Sequence, residues 1–174
     1  MPLKFGGYAG AYIDDGLHDR LLLALAFELN KALPRIMKNN PLRYLWAYKY
    51  DSEYSGISTH ADEAAVNVNI WLTPDDAVLD KDSGGLVVFT AKPPPDANFA
   101  EYNQNTKKMI EEIIKPTSFA NVTVPFRYNR AVMFDSLLFH HTDVFKFKPG
   151  YKNRRINLTI LYGDMKRIKV KDEL

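Results

Sequence analysis

The sequence predicts a mainly β fold, a sandwich or barrel of short strands with helical buttressing. Two features lead there: a single Leu- and Ala-rich helical run near the N-terminus, and after it a series of short β-branched and aromatic runs separated by turn residues. A third observation sets the scale. The 174 residues are 46% hydrophobic and 13% aromatic, enough for the core of one compact domain, so residues 1–174 read as a single domain.

The opening MPLKFGGYAGAYIDDG has no basic segment followed by an apolar run, and so reads as neither a signal peptide nor an anchor. From Leu17 to about Met37, apolar residues recur at spacings of three and four, which predicts a helix weakened or bent near Pro34. RYLWAYKY (43–50), VNVNIWL (66–72) and GLVVFT (85–90) predict strands, the second by strict alternation. TPDDAVLDKDSGG (73–85) is turn chemistry and AKPPPDANF (91–99) a Pro-rich loop. EYNQNTKKMIEEIIK (101–115) predicts a short amphipathic helix with Met109, Ile110, Ile113 and Ile114 on its apolar side, inserted between strands. NVTVPFRY (121–128), AVMF (131–134), VFKF (144–147) and RRINLTILYG (154–163) complete the strands. No internal repeat or linker divides the chain.

Composition excludes several classes of function. The net charge of +2 arises from 23 basic and 21 acidic residues that are well mixed, so no basic face for nucleic acid or an anionic membrane is expected. A small molecule or a peptide is the expected partner. No run reaches the roughly 18 consecutive apolar residues of a membrane helix. With zero cysteines, any metal must be held by N and O ligands, and a reducing, cytoplasmic setting is expected. The last four residues, Lys171 to Leu174, spell KDEL, an ER-retrieval signal. In a tail already rich in Lys and Asp it reads as coincidence, with an ER-lumenal chain that has lost its signal peptide as the lesser alternative. Oligomeric state is not legible.

Four histidines are present. His18 falls in the first turn of the predicted helix and reads as a surface residue. His60 stands two residues before Asp62 at the mouth of an alternating run, and i, i+2 side chains of an extended segment share a side. A tripeptide H-x-D alone arises often by chance. Its natural complement is LFHHTD, about 80 residues downstream between β-like runs, where His140 or His141 supplies a third ligand. Two imidazoles and one carboxylate leave half of an octahedral shell open, the facial triad of non-haem Fe(II) oxygenases; zinc hydrolases share that ligand set.

The ordering HADE (60–63), DSGGLVVF (82–89), RAVMFDSLLFH (130–140), RRINLTILYG (154–163) resembles the Fe(II)/2-oxoglutarate-dependent oxygenases over roughly residues 43–163. That resemblance implies a double-stranded β-helix, a jelly-roll, cupin-like core like that of prolyl hydroxylases, with the N-terminal helix packed on its sheet. It also implies Fe(II) on His60, Asp62 and His140, with His140 preferred over His141 because it directly follows the apolar residues after FDS. The implied reaction couples oxidative decarboxylation of 2-oxoglutarate by O2, giving succinate and CO2, to hydroxylation of a peptidyl, amino-acid or small-metabolite substrate. Related halogenases have a small residue in place of the carboxylate, so Asp62 favours hydroxylation. Two features depart from the pattern: the long interval from His140 to Arg155, filled by PGYKN, and the insertion between the ligand regions. The rivals are a β-sandwich binding module and a cupin-like metalloenzyme that needs no 2-oxoglutarate.

On RRINLTILYG, Arg155, Asn157, Thr159 and Leu161 share one face and Arg154, Ile156, Leu158 and Ile160 the other. Arg155 with Thr159 is therefore the expected anchor of the far carboxylate of 2-oxoglutarate, and Arg154 is not. On VNVNIWL, Asn67, Asn69 and Trp71 share a face. If that face lines the pocket, the two amides hydrogen-bond cosubstrate or substrate; the alternative is a solvated face with Trp71 as a lid contact. Tyr48, Tyr50 and Tyr54 read as core aromatics, of which one hydroxyl could reach the cosubstrate.

Overall fold

The computed structural model describes residues 3–4, 7–51, 53–54, 56–94 and 97–164; the KDEL tail lies outside them. In chain order the strands are β1 (Leu3–Lys4), β2 (Tyr8–Tyr12), β3 (Leu42–Tyr50), β4 (Glu53–Tyr54), β5 (Val66–Trp71), β6 (Leu86–Phe89), β7 (Asn121–Val124), β8 (Ala131–Asp135), β9 (His140–Thr142), β10 (Phe145–Lys146) and β11 (Ile156–Tyr162). The α-helices are α1 (Arg20–Ala32), α2 (Pro34–Met37), α3 (Phe99–Gln104) and α4 (Thr106–Met109). Among the described residues every strand pairing is antiparallel: a major sheet in the order β1-β2-β3-β11-β5-β8, a minor sheet β7-β6-β9, and a β4–β10 pair.

Strand alternation gives each sheet two different faces. From the major sheet, Val66, Val68 and Ile70 of β5 and Leu158 and Ile160 of β11 pack with Ala26 of α1 and Met37 of α2. Each such side chain contributes about 1.5–3 kcal/mol on burial. Asp19 caps α1 by accepting from the N–H of Leu21 at 2.8 Å. The helix stops at Leu33 (φ −122°, ψ 54°), because the following proline disfavours helical backbone there. The hydroxyl of Tyr162 in β11 donates to the carbonyl of Ala26 at 2.7 Å and ties α1 to the sheet.

The opposite face of the major sheet meets the minor one. Tyr50 and Trp71 pack with Leu86, Val88, Phe126, Phe145 and Phe147 in a second core. Val87 and Phe89 point outward from β6, where Tyr102, Met109 and Ile114 of the helical insertion cover them. The insertion thus buttresses the minor sheet.

It is not the single helix expected over 101–115. Asn98 caps α3, Asn105 interrupts it and caps α4 by accepting from the N–H of Lys108, and a π turn (Ile110–Ile114) and a 3-10 turn (Lys115–Thr117) follow. Asparagine side chains compete locally for backbone groups, which an apolar periodicity does not reveal. Other expectations shift at the ends. The first helix begins at Arg20 and leaves His18 ahead of its cap, strand 121–128 stops before Pro125, and 144–147 shrinks to two paired residues. Strands β1, β2, β4 and β9 fall outside the runs that the sequence predicts as strands.

Gly85 packs against the backbone where β6 leaves the DSGG turn. A Cβ there would sit 1.8 Å from the carbonyl oxygen of Val124. Gly85→Ala must therefore push β7 away, at about 2 kcal/mol. Thermal unfolding should show Tm lower by roughly 4–8 °C.

Candidate metal centre

His60 and His140 form an antiparallel bridge. The N–H of His60 donates to the carbonyl of His140 at 3.0 Å, and the N–H of His140 to that of His60 at 2.8 Å. Residues paired in this way project their side chains to one side of the ladder, and the imidazole centroids lie 4.4 Å apart. Asp62 is anchored by its own N–H, which donates to the carbonyl of Ser136 at 3.0 Å. Between them, Asn103 of α3 clamps Ala61, accepting from its N–H at 3.0 Å and donating to its carbonyl at 2.8 Å.

The bridge brings one atom from each of His60, Asp62 and His140 within 4.8 Å of the others. Nε2 of His60 is 3.6 Å from Oδ1 of Asp62, and Nε2 of His140 is 3.5 Å from Oδ2. Nδ1 of His60 lies 2.7 Å from the carbonyl of Ser58, and Nδ1 of His140 lies 2.9 Å from that of Leu138. A carbonyl oxygen can only accept, so each Nδ1 carries the proton and each Nε2 presents a lone pair. Burial pushes the His60 imidazole down to about 4, with the neighbouring His140 adding to the effect. Burial acts to raise Asp62, but the facing His140 and His60 and the amide of Asn67 outweigh it and hold the carboxyl below its ordinary range. Two lone pairs and an anion thus converge, an arrangement that a bound cation completes; the N/O donor set suits iron, manganese or zinc.

His141 points away from this cluster. Its Nδ1 is 3.2 Å from Oγ1 of Thr59, its ring lies against Phe89, and burial lowers its pKa.

A cavity of about 370 Å³ opens from the cluster, within the range of small-molecule sites. His60, Asp62 and His140 line it, Asn69, Asn157 and Thr159 contribute polar groups, and Tyr8, Tyr12, Trp46, Tyr48 and Tyr50 make an aromatic wall. The wall was only partly foreseen: Tyr48 and Tyr50 line the cavity as well as packing, and β2 supplies Tyr8 and Tyr12. The Tyr-x-Gly-x-Tyr pattern of 8–12 carried that signal. Gly10 faces Tyr48 in the register, and a Cβ there would lie 3.1 Å from its ring. The Tyr48 hydroxyl sits 3.0 Å from that of Tyr12, and burial together with that contact raises its pKa, keeping the phenol protonated.

Of the residues expected to bind cosubstrate, Asn69 and Thr159 line the cavity. Asn67 is fully buried behind Asp62 and donates to it at 2.7 Å. Arg155 is buried between the sheets, boxed by the rings of Tyr50, Trp71, Phe126 and Phe145 at 5.1–6.0 Å. Its Nε donates to the carbonyl of Gly84 at 2.8 Å and its Nη2 to that of Gly85 at 3.1 Å. Burial lowers its pKa to about 10, so it stays charged at neutral pH. Among the described residues, Nη1 of Arg155 and Nε1 of Trp71 are buried donors without a partner, and Oδ1 of Asn157 is a buried acceptor without one. Such donors beside an uncompensated cation fit a carboxylate. Trp71 is therefore no lid contact on a solvated face; it is fully buried and stacks on Phe126 at 5.3 Å. Arg154 faces outward and pairs with Asp51 at 2.9 Å. Asn103, Asn157 and Trp71 were missed as candidates for the site, though Asn157 shares the strand face on which Arg155 was picked.

No protein-family sequence model matches this chain, and no curated protein matches it in sequence. Solved structures do match its fold. SnoN, a non-haem alpha-ketoglutarate-dependent epimerase from nogalamycin biosynthesis, aligns with a TM-score of 0.60 at 13% identity, over 93% of this chain and 65% of that one. A prolyl-4-hydroxylase from Pseudomonas putida gives 0.54 at 15% identity, over 91% and 70%. HygX from Streptomyces hygroscopicus, with nickel and 2-oxoglutarate bound, gives 0.51 at 14% identity, over 84% and 66%. The chain spans about two thirds of the length of these proteins. Over most of its length it is structurally similar to Fe/2-oxoglutarate-dependent oxygenases and has their double-stranded β-helix fold. No helix among the described residues is long and apolar enough to cross a membrane.

The two adjacent histidines should separate cleanly in metal titrations. Loss of an outer partner costs ~10–100-fold in affinity, so His140→Ala, which would remove a candidate ligand, should weaken Co(II) or Fe(II) binding by at least ~100-fold. His141→Ala should cost under ~10-fold, about 1.4 kcal/mol. Equal losses would return the third ligand to His141.

Proposed function

We propose that the protein is an Fe(II)/2-oxoglutarate-dependent dioxygenase that hydroxylates a small-molecule or peptidyl substrate. One observation carries this reading above the others: the convergence of His60, Asp62 and His140, with both imidazole tautomers set so that lone pairs face the carboxylate. His60, Asp62 and His140 would hold the iron as a 2-His-1-carboxylate set, with three positions of an octahedral shell left open. Bound iron with 2-oxoglutarate and O2 supplies the oxidising equivalents, and the protein supplies position and exclusion of water.

The buried Arg155 and Nε1 of Trp71 would hold the distal carboxylate of 2-oxoglutarate, which would also compensate a charge that burial otherwise makes costly. Asn69, Asn157 and Thr159, which line the cavity, would offer the cosubstrate hydrogen bonds. Tyr12, Trp46 and Tyr48 would keep water from the reacting C–H bond. A carboxylate at position 62 leaves no ligand place for a halide, which supports hydroxylation as the outcome.

The test is to add 2-oxoglutarate to the anaerobic Fe(II) protein and look for the weak visible charge-transfer band of a chelated keto acid, then to follow succinate release on admission of air. No band at saturating 2-oxoglutarate would leave a metalloenzyme or binding module that does not use it. The same titration separates the two arginines. Arg155→Ala should raise the 2-oxoglutarate requirement ~10–1000-fold, on the scale of about 1.4 kcal/mol per decade. Arg154→Ala, which breaks only a surface pair, should leave it within ~3-fold.

A further inference from the structure

The carboxylate of Asp62 stands at the end of a directed chain of amides. Nδ2 of Asn67 donates to Oδ2 of Asp62 at 2.7 Å, and Nδ2 of Asn69 donates to Oδ1 of Asn67 at 2.6 Å. Oδ1 of Asn69 accepts in turn from Nδ2 of Asn157 at 2.8 Å and from Oγ1 of Thr159 at 3.3 Å, while Asn157 also donates to Thr159 at 2.8 Å. An ionised carboxylate can only accept, so Asn67 must turn its NH2 toward Asp62. Its carbonyl then faces Asn69, which must answer with its own NH2, and the same logic orients Asn157. All four residues are at least 94% buried. A polar row so deep between two sheets costs about 1–3 kcal/mol for each group left unpaired, so its pairing is a constraint and not an accident of packing.

We propose that Asn67 is a positioning residue that makes Asp62 a one-oxygen ligand: its amide holds Oδ2, and Oδ1 is left to the metal. This rests on the reading of Asp62 as a metal ligand. Asn69, Asn157 and Thr159 lock Asn67 in turn, because its carbonyl is held by Asn69 and it cannot rotate without breaking that bond. The consequence lies in the count of coordination places. Three protein atoms leave three positions of an octahedral shell, whereas an aspartate that closed on the metal through both oxygens would take one of them away. The amide also breaks the symmetry of a carboxylate that faces His60 with one oxygen and His140 with the other.

Co(II) in place of iron gives a test that needs no turnover, since its visible d–d bands report coordination number. Asn67→Leu keeps nearly the same volume without a donor. Asn67→Ser keeps a polar group too short to reach Oδ2, and decides alone should the leucine variant fail to fold. Expected are a folded protein by thermal melt, Co(II) affinity weaker by ~10–100-fold, and bands shifted in position and intensity. Variants that match the wild type in affinity and spectrum overturn the proposal. So does weaker binding with an unchanged spectrum, because the carboxylate would then hold the metal in the same mode without Asn67. If the wild type itself binds no Co(II), it is the metal-centre reading that fails, and the two failures stay distinct.

Discussion

The pair of backbone hydrogen bonds between His60 and His140 is the constraint on which the site depends. It joins residues 80 apart in sequence and extends the minor sheet by one rung beyond β9. Because only main-chain groups make it, both imidazoles remain available, and because it is an antiparallel rung, both must point the same way. The carbonyls of Ser58 and Leu138, each two residues before its histidine, then select the tautomer. Ser136 and Asn103 hold the turn between His60 and Asp62, so the helical insertion reaches the metal centre through one amide on Ala61. The geometry of His60, Asp62 and His140 is thereby set by main-chain pairing.

Strands β5 and β11 serve two purposes through the period of two. Val66, Val68, Ile70, Leu158 and Ile160 form the apolar face under α1, and Asn67, Asn69, Asn157 and Thr159 form the polar face turned to the other sheet. Asn69 and Thr159 are register partners, as are Trp71 and Asn157, so the chain of amides runs along β5 from Asn67 to Asn69 and there crosses to β11. A one-residue slip in that register would place valine where the carboxylate needs a donor. The candidate site and the helix-side core are therefore specified by the same alignment.

Arg155 belongs to this polar interior as an unpaired cation. Two glycine carbonyls and four aromatic rings stabilise it, but no carboxylate among the described residues forms an ion pair with it. A buried charge in that state favours an incoming anion over water, since the ligand restores what burial removed. The close approach of Gly85 to Val124 positions the carbonyl that accepts from Nη2, which links the tightness of the β6 turn to the orientation of the guanidinium.

The sequence by itself determined the long central strands, because alternation in 66–71 and 156–162 is a local property that needs only the pleat. It also held the H-x-D pair, the face that Arg155 shares with Thr159, and, with the resemblance it carries, the double-stranded β-helix. Only the tertiary structure decided what those faces meet. Nothing local in VNVNIWL says that Asn67 turns to Asp62 while Asn69 lines a cavity, since the difference lies in the position of β11 and of the ligand loop across the sheet. Trp71 became a buried partner of Arg155 because the minor sheet closes over it, and a solvated face with the same alternation would read identically. Tyr8 and Tyr12 joined the wall because β2 pairs with β3, a contact across some 40 residues that no periodicity encodes. The breaks at Asn105 and Leu33 were set by single side chains acting on nearby backbone, where hydrogen bonding and proline sterics override an apolar repeat.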